Sequence, residues 1–147
     1  QDDYTMNIEM MKAELAKDLK MNMECLNDES INVSGQHGKW LGFALDETAK
    51  LALLRSKQKQ MKLQKWNYYL GRGTAEEYKK RPFGLKVLKG EVQQYIDADQ
   101  EYRNLEDKIA VKEAIVDFLD GAVRAITNKQ WNIKNAIEFL KFKNGLV

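Results

Sequence analysis

Five side chains stand out for what their spacing lets them do together. Arg55, Lys59, Lys62, Trp66 and Tyr69 follow one another at intervals of 4, 3, 4 and 3 residues within Leu51–Gly73. In an α-helix this spacing puts all five on one stripe. Lys57, Lys65 and Arg72 flank that stripe. Cationic groups track phosphates and release counterions, while flat rings stack on unpaired bases. A basic row ending in aromatics therefore suits a single-stranded nucleic acid. The same residues also describe an ordinary solvated helix face with Trp66 and Tyr69 turned into a core.

Charge distribution favours a polyanion. The formal net charge of the 147 residues is only +2, yet residues 50–89 hold 12 basic and 2 acidic side chains. Residues 1–49 hold 4 basic and 10 acidic, and residues 90–147 hold 8 and 10. The positive field is thus concentrated in one segment.

Other chemistry finds little support. His37 is the only histidine and Cys25 the only cysteine, too few for a zinc site or for a nucleophile with a base to spare. Asp28–Glu29 and Asp97–Asp99 sit where helix N-termini attract carboxylates. Gly71-Arg72-Gly73 lacks the rest of a phosphate-loop fingerprint. No enzyme, cofactor or metal is expected. A lone cysteine, no apolar run of membrane-spanning length and no leader pattern fit a soluble cytoplasmic protein.

The elements that must present the row read as helices. One proline, with runs rich in Ala, Leu, Lys, Glu, Gln and Met, favours helix almost throughout. Thr5 is a candidate cap for a first helix whose stripe is Ile8, Met11, Leu15 and Leu19. The polar stretch Asn27–Gly38 reads as a connection. A second helix runs from about Lys39 to Leu70, with Trp40, Ala44, Leu51, Leu54, Met61 and Tyr68 near a heptad seam that Glu47, Gln58 and Lys65 interrupt. Gly71 ends it. Its length exceeds the width of a small domain, so its basic half is expected to project or to pack on another subunit. Residues 74–98 read as a mostly irregular basic loop with room for a helical turn.

A third helix starts at the cap Asp99. Leu105, Ile109, Lys112, Val116, Leu119, Val123 and Ile126 keep heptad spacing, either as a coiled-coil seam between copies or as one face of an intramolecular bundle. A last helix, Asn132–Lys143, would fold back as an antiparallel hairpin. The expected organisation is all-α: amino-terminal helices over 1–73, a basic connection over 74–98 and carboxy-terminal helices over 99–147, in one structural unit.

Three blocks in order resemble the UvsY-type recombination mediators of T-even-like phages. They are Lys39-Trp40-Leu41; Tyr68-Tyr69-Leu70-Gly71-Arg72-Gly73; and Asp117-Phe118-Leu119-Asp120-Gly121-Ala122 with Ala125-Ile126 and Ile133-Lys134. Glu14-Leu15-Ala16-Lys17-Asp18 resembles the family's start. The resemblance covers most of the chain and is weakest over 22–38 and 74–98. It implies a phage-encoded, non-enzymatic factor of the host cytoplasm that binds single-stranded DNA. Its implied partners are a strand-exchange recombinase, which it helps to load, and the single-strand-binding protein that the recombinase replaces. It also implies a ring-like homo-oligomeric helical barrel, a hexamer or heptamer. Assembly would use the carboxy-terminal helices, hence Leu105, Ile109, Val116, Leu119, Val123 and Ile126. The family's DNA-contacting Lys-x-Arg falls on Leu63 and Lys65, with Lys62 next to the first. The rival reading is a helical scaffold whose basic segment docks an acidic protein, and an RNA-binding accessory would share the same electrostatics.

Overall fold

A computed structural model describes the backbone of residues 2–145 and the side chains of residues 8–145. The helices are α1 (Asp2–Leu19), α2 (Leu26–Tyr69), α3 (Ala75–Lys80), α4 (Val92–Ala98) and α5 (Gln100–Lys143), with 3₁₀ turns at Met23–Cys25 and Lys89–Glu91. No strand occurs among the described residues. The all-α expectation holds. The expected cap at Thr5 involves a side chain outside the described residues. The chain groups into two compact units, residues 1–47 with 114–147, and residues 48–113. Both α2 and α5 contribute to each unit, so the units are not the consecutive segments expected.

Residues 27–38 are not a connection. They form the first turns of α2, although Gly35 and Gly38 each weaken a helix by about 1 kcal/mol relative to alanine. Tertiary packing overrides that propensity. Leu26, Val33 and Trp40 recur every seven residues and are buried. Val33, Trp40 and Ala44 of α2 meet Ile115, Leu119, Ala122, Ile126 and Ile133 of α5 in one core, against which Ile8, Met11 and Leu15 of α1 pack. Leu19, the last member of the α1 stripe, is exposed.

The expected hairpin is absent as well. α5 is a single helix, and its middle is pinned where the break was expected. Buried Lys129 donates from Nζ to the Asp18 backbone carbonyl (2.7 Å) and to Gln36 Oε1 (3.1 Å), and pairs with Glu29 Oε2 (2.8 Å). No proline or glycine lies between Ala122 and Lys143 to break the ladder. Asp18 also accepts from the Trp40 indole Nε1 (2.9 Å) and pairs with Lys39. Burial alone would raise the Asp18 carboxyl, but Lys39, Trp40 and Lys129 outweigh it and hold it below the usual carboxylate range. The Lys39-Trp40 step is therefore a structural clasp on α1.

Much of the heptad spacing on α5 is used within the chain. Leu105, Ile109, Leu119 and Ile126 are buried within their own chain, and Val116 and Val123 are half-buried. A side chain already enclosed by its own helices is not offered to a second copy. Leu105, Ile109, Leu119 and Ile126 therefore serve as core packing, while Val116 and Val123 keep part of their surface open. Leu119 is fully enclosed, so Leu119→Ala should cost about 2–5 kcal/mol of unfolding free energy in urea, through weaker packing and the cavity left behind.

Candidate nucleic-acid interface

The site is built at the end of α2. Gly71 has φ of +79°, a left-handed conformation that costs a side chain energy and that glycine adopts freely. It places the Arg72 amide on the Asn67 carbonyl (2.8 Å) and the Gly71 amide on the Tyr68 carbonyl (3.2 Å), the paired bonds of a Schellman stop. A Cβ at Gly73 would lie 3.2 Å from the Tyr78 ring. The Gly-Arg-Gly step thus ends the helix and lets the chain turn closely under Tyr78.

That turn returns the chain onto α2. Thr74 Oγ1 caps α3 by accepting from the Glu77 amide (3.2 Å). This Thr-x-x-Glu signature is present in the sequence and marks a helix start. Tyr78 stacks on Tyr68 with ring centroids 5.1 Å apart, and Phe83 lies 5.0 Å from Tyr69 and 5.9 Å from Tyr95. The Tyr68 hydroxyl donates to the Arg81 carbonyl and the Tyr78 hydroxyl to the Tyr68 carbonyl, both at 2.6 Å. Residues 74–98 are therefore more ordered than the expected irregular loop, and Val92 is a buried member of α4.

Asp99 sits at the centre of this knot. It caps α5 by accepting the Tyr102 amide (3.0 Å), as its position in the sequence suggested. Its other oxygen receives the Tyr69 hydroxyl (2.6 Å) and Arg81 Nη1 (2.9 Å), with Lys65 Nζ at 3.4 Å. Burial pushes its pKa up, but Tyr69, the Tyr102 amide, Arg81 and Lys65 outweigh that and hold it below the ordinary value. For Tyr69 the effects run the other way. Burial, then the hydrogen bond to and the charge of Asp99, push its phenol up to about 12.

These interactions sort the predicted row. Tyr69 is 3% exposed and bonded to Asp99, so it is corrected from a base-stacking ring to a core hydroxyl. The Lys65 side chain is 12% exposed and is held between Asp99 and Glu101 Oε2 (2.8 Å). Arg55 pairs with Glu113 (2.8 Å), but both side chains are about half exposed. Such a surface pair is worth about 0–1 kcal/mol, and a phosphate can displace it. Lys57, Lys59, Lys62 and Arg72 are exposed and have no carboxylate partner among the described residues. Trp66 is half-buried and has no ring neighbour among the described residues.

The geometry thus retains Arg55, Lys59, Lys62 and Trp66 on one outward row, with Lys57 and Arg72 near it. One face of the basic half of α2 packs within its own unit. Leu51, Met61 and Tyr68 are buried within the unit formed by residues 48–113, and Lys65 and Arg55 pair with α5 carboxylates of that unit. Glu101, Glu113 and Arg81, which decide which cations are committed, carried no sequence signal beyond their charge.

Residues 14–146 match the family described as UvsY, recombination, repair and ssDNA binding protein. The recombination protein uvsY of Enterobacteria phage T4 is 24% identical over 140 residues, spanning 95% of this chain and 99% of that protein. Crystal structures of the bacteriophage T4 recombination mediator protein UvsY superpose with TM-scores of 0.82 and 0.80, at 23% and 22% identity. They cover 92% and 90% of this chain and 96% and 97% of theirs.

The raised Tyr69 pKa gives a signed expectation. The folded state holds this proton more tightly than the unfolded state, so its contribution is complete below about pH 10. It is lost as pH rises toward about 12. Urea unfolding between pH 9 and pH 12 should show a steeper alkaline loss in the wild type than in Tyr69→Phe, which has no proton to lose there.

Proposed function

Because the chain belongs to the UvsY family of recombination, repair and single-stranded-DNA-binding proteins, we propose that it is a recombination mediator. It binds single-stranded DNA along the Arg55–Trp66 row of α2. It helps to load a phage strand-exchange recombinase onto DNA covered by single-strand-binding protein. The observation that carries the site is the outward row itself: Lys59 and Lys62 have no carboxylate partner among the described residues, and Trp66 follows them on the same stripe. The T4 protein that this chain resembles is described as a recombination mediator, which supports the loading role.

The family description is one of binding, and the proposal assigns the chain no reaction and no cofactor. No helix among the described residues is long and apolar enough to cross a membrane, and the proposed place of action is the host cytoplasm.

The proposal includes a homo-oligomer, a ring of six or seven copies. Its support is the apolar surface still exposed in the unit formed by residues 1–47 and 114–147. Trp131, Phe139 and Phe142 of α5 and Ile31, Leu41 and Leu45 of α2 remain open to solvent. Large apolar side chains open to solvent are a feature that association between copies can cover. Repeating a few cations around such an assembly multiplies modest affinities through effective concentration.

Anisotropy titrations of a labelled single-stranded oligonucleotide at several salt concentrations, with duplex as competitor, test the site. Lys59→Ala with Lys62→Ala should weaken binding and reduce the log–log salt slope by about 0.7 for each phosphate left without its cation. Trp66→Ala should cost about 1–3 kcal/mol of binding if one base stacks there. Unchanged affinity in both variants would remove the row from the DNA path. Phe139→Asp with Phe142→Asp should give smaller species in sedimentation velocity, while an unchanged assembly would place the interface elsewhere.

A further inference from the structure

The segment that follows α3 is unlike the row on α2. From Lys79 to Gly90 the chain carries Lys79, Lys80, Arg81, Lys86 and Lys89 and no acidic residue. Arg81 is committed to Asp99, whereas the four lysines are exposed and have no carboxylate partner among the described residues. Between them residues 82–88 run without helix or strand.

Two further properties narrow what could bind there. Among the described residues, the main-chain N–H and C=O groups of residues 83–87 take no hydrogen-bond partner. A main chain outside helix and strand with open donors and acceptors can pair with another chain laid along it. In addition, Leu85 is 66% and Leu88 is 68% exposed, while Phe83 and Val87 are half-buried and Phe83 is locked in the ring cluster. The segment is therefore held at Phe83 and offers leucines and lysines outward.

We infer that residues 79–89 are a docking strand for an extended protein segment that is acidic and carries apolar side chains. Charge complementarity selects the acidic character, since four uncommitted lysines flank the open backbone. The leucines select apolar residues, because each gains only if it leaves water. Nucleic acid fits this patch less well. The rings of Tyr68, Tyr69, Tyr78, Phe83 and Tyr95 are engaged with one another, so the segment offers exposed leucine and no exposed aromatic platform for bases. The docking strand is thus distinct in chemistry from the Arg55–Trp66 row.

The test uses the full chain and two fluorescein-labelled peptides of about a dozen residues, a length that spans the segment when extended. One is rich in Asp and Glu with two leucines. The other has the same charge with serines in their place. The full chain should bind the leucine peptide about tenfold or more tightly than the serine peptide, as expected when two leucines leave water. Leu85→Ser with Leu88→Ser should abolish that difference while the melting temperature and single-stranded DNA affinity stay unchanged.

Equal binding of the two peptides, no binding of either, or a leucine variant that still discriminates would overturn the inference. So would Lys86→Ala with Lys89→Ala weakening single-stranded DNA as much as Lys59→Ala with Lys62→Ala, which would make the segment part of the DNA path. Because wild-type DNA binding is read in the same assay, failure of the docking strand and failure of the DNA-binding row are separate results.

Discussion

A single buried carboxylate ties the end of the basic helix to the elements that follow it. Asp99 starts α5 by capping it, and in that position it gathers Tyr69 from the end of α2, Arg81 from the end of α3 and Lys65 from the side of α2. A charge that far from water is tolerable only with partners of this kind. The consequence reaches the surface. Lys65 and Tyr69 are engaged with Asp99, while Lys59 and Lys62 stay exposed with no carboxylate partner among the described residues.

The same logic operates around Asp18. There Lys39, the Trp40 indole and Lys129 converge on one residue, fixing α1 against α2 and the middle of α5. In each unit a buried aspartate and the lysine bound to it, Asp18 with Lys129 and Asp99 with Lys65, pin the helices that meet there. A seam of leucines alone would bury area without specifying register, whereas a buried lysine with three acceptors is satisfied in one arrangement only.

Much of this was legible in the sequence, and the misses share a cause. The heptad positions of Trp40, Ala44, Leu51, Met61 and Tyr68 were readable from spacing, as were the cap at Asp99 and the stop at Gly71, because each depends on neighbours within a few residues. What failed depended on partners far along the chain. The glycines of residues 27–38 look like a loop until Val33 and Gln36 are set against α5. Lys129 looks like part of a polar connection until Asp18 and Glu29 surround it. A 4-3 stripe cannot state whether its partner is the same chain or another, so the Leu105–Ile126 spacing left open the burial that Leu105, Ile109, Leu119 and Ile126 find within their own chain. Tyr69 lies on the cationic stripe by angle, yet Asp99, thirty residues later, turns it inward.

The central claim is that burial against Asp99 divides the α2 cations into structural and DNA-binding members. The direct measurement compares Lys62→Ala with Lys65→Ala in two assays, urea unfolding and the salt dependence of single-stranded DNA binding. Lys62→Ala should reduce the salt slope by about 0.7 and leave unfolding unchanged. Lys65→Ala should lower the unfolding free energy by about 1–3 kcal/mol, the cost of removing a partner from a buried charged group, with the slope nearly intact. A Lys65→Ala protein of unchanged stability whose salt slope falls as far as that of Lys62→Ala would contradict the account.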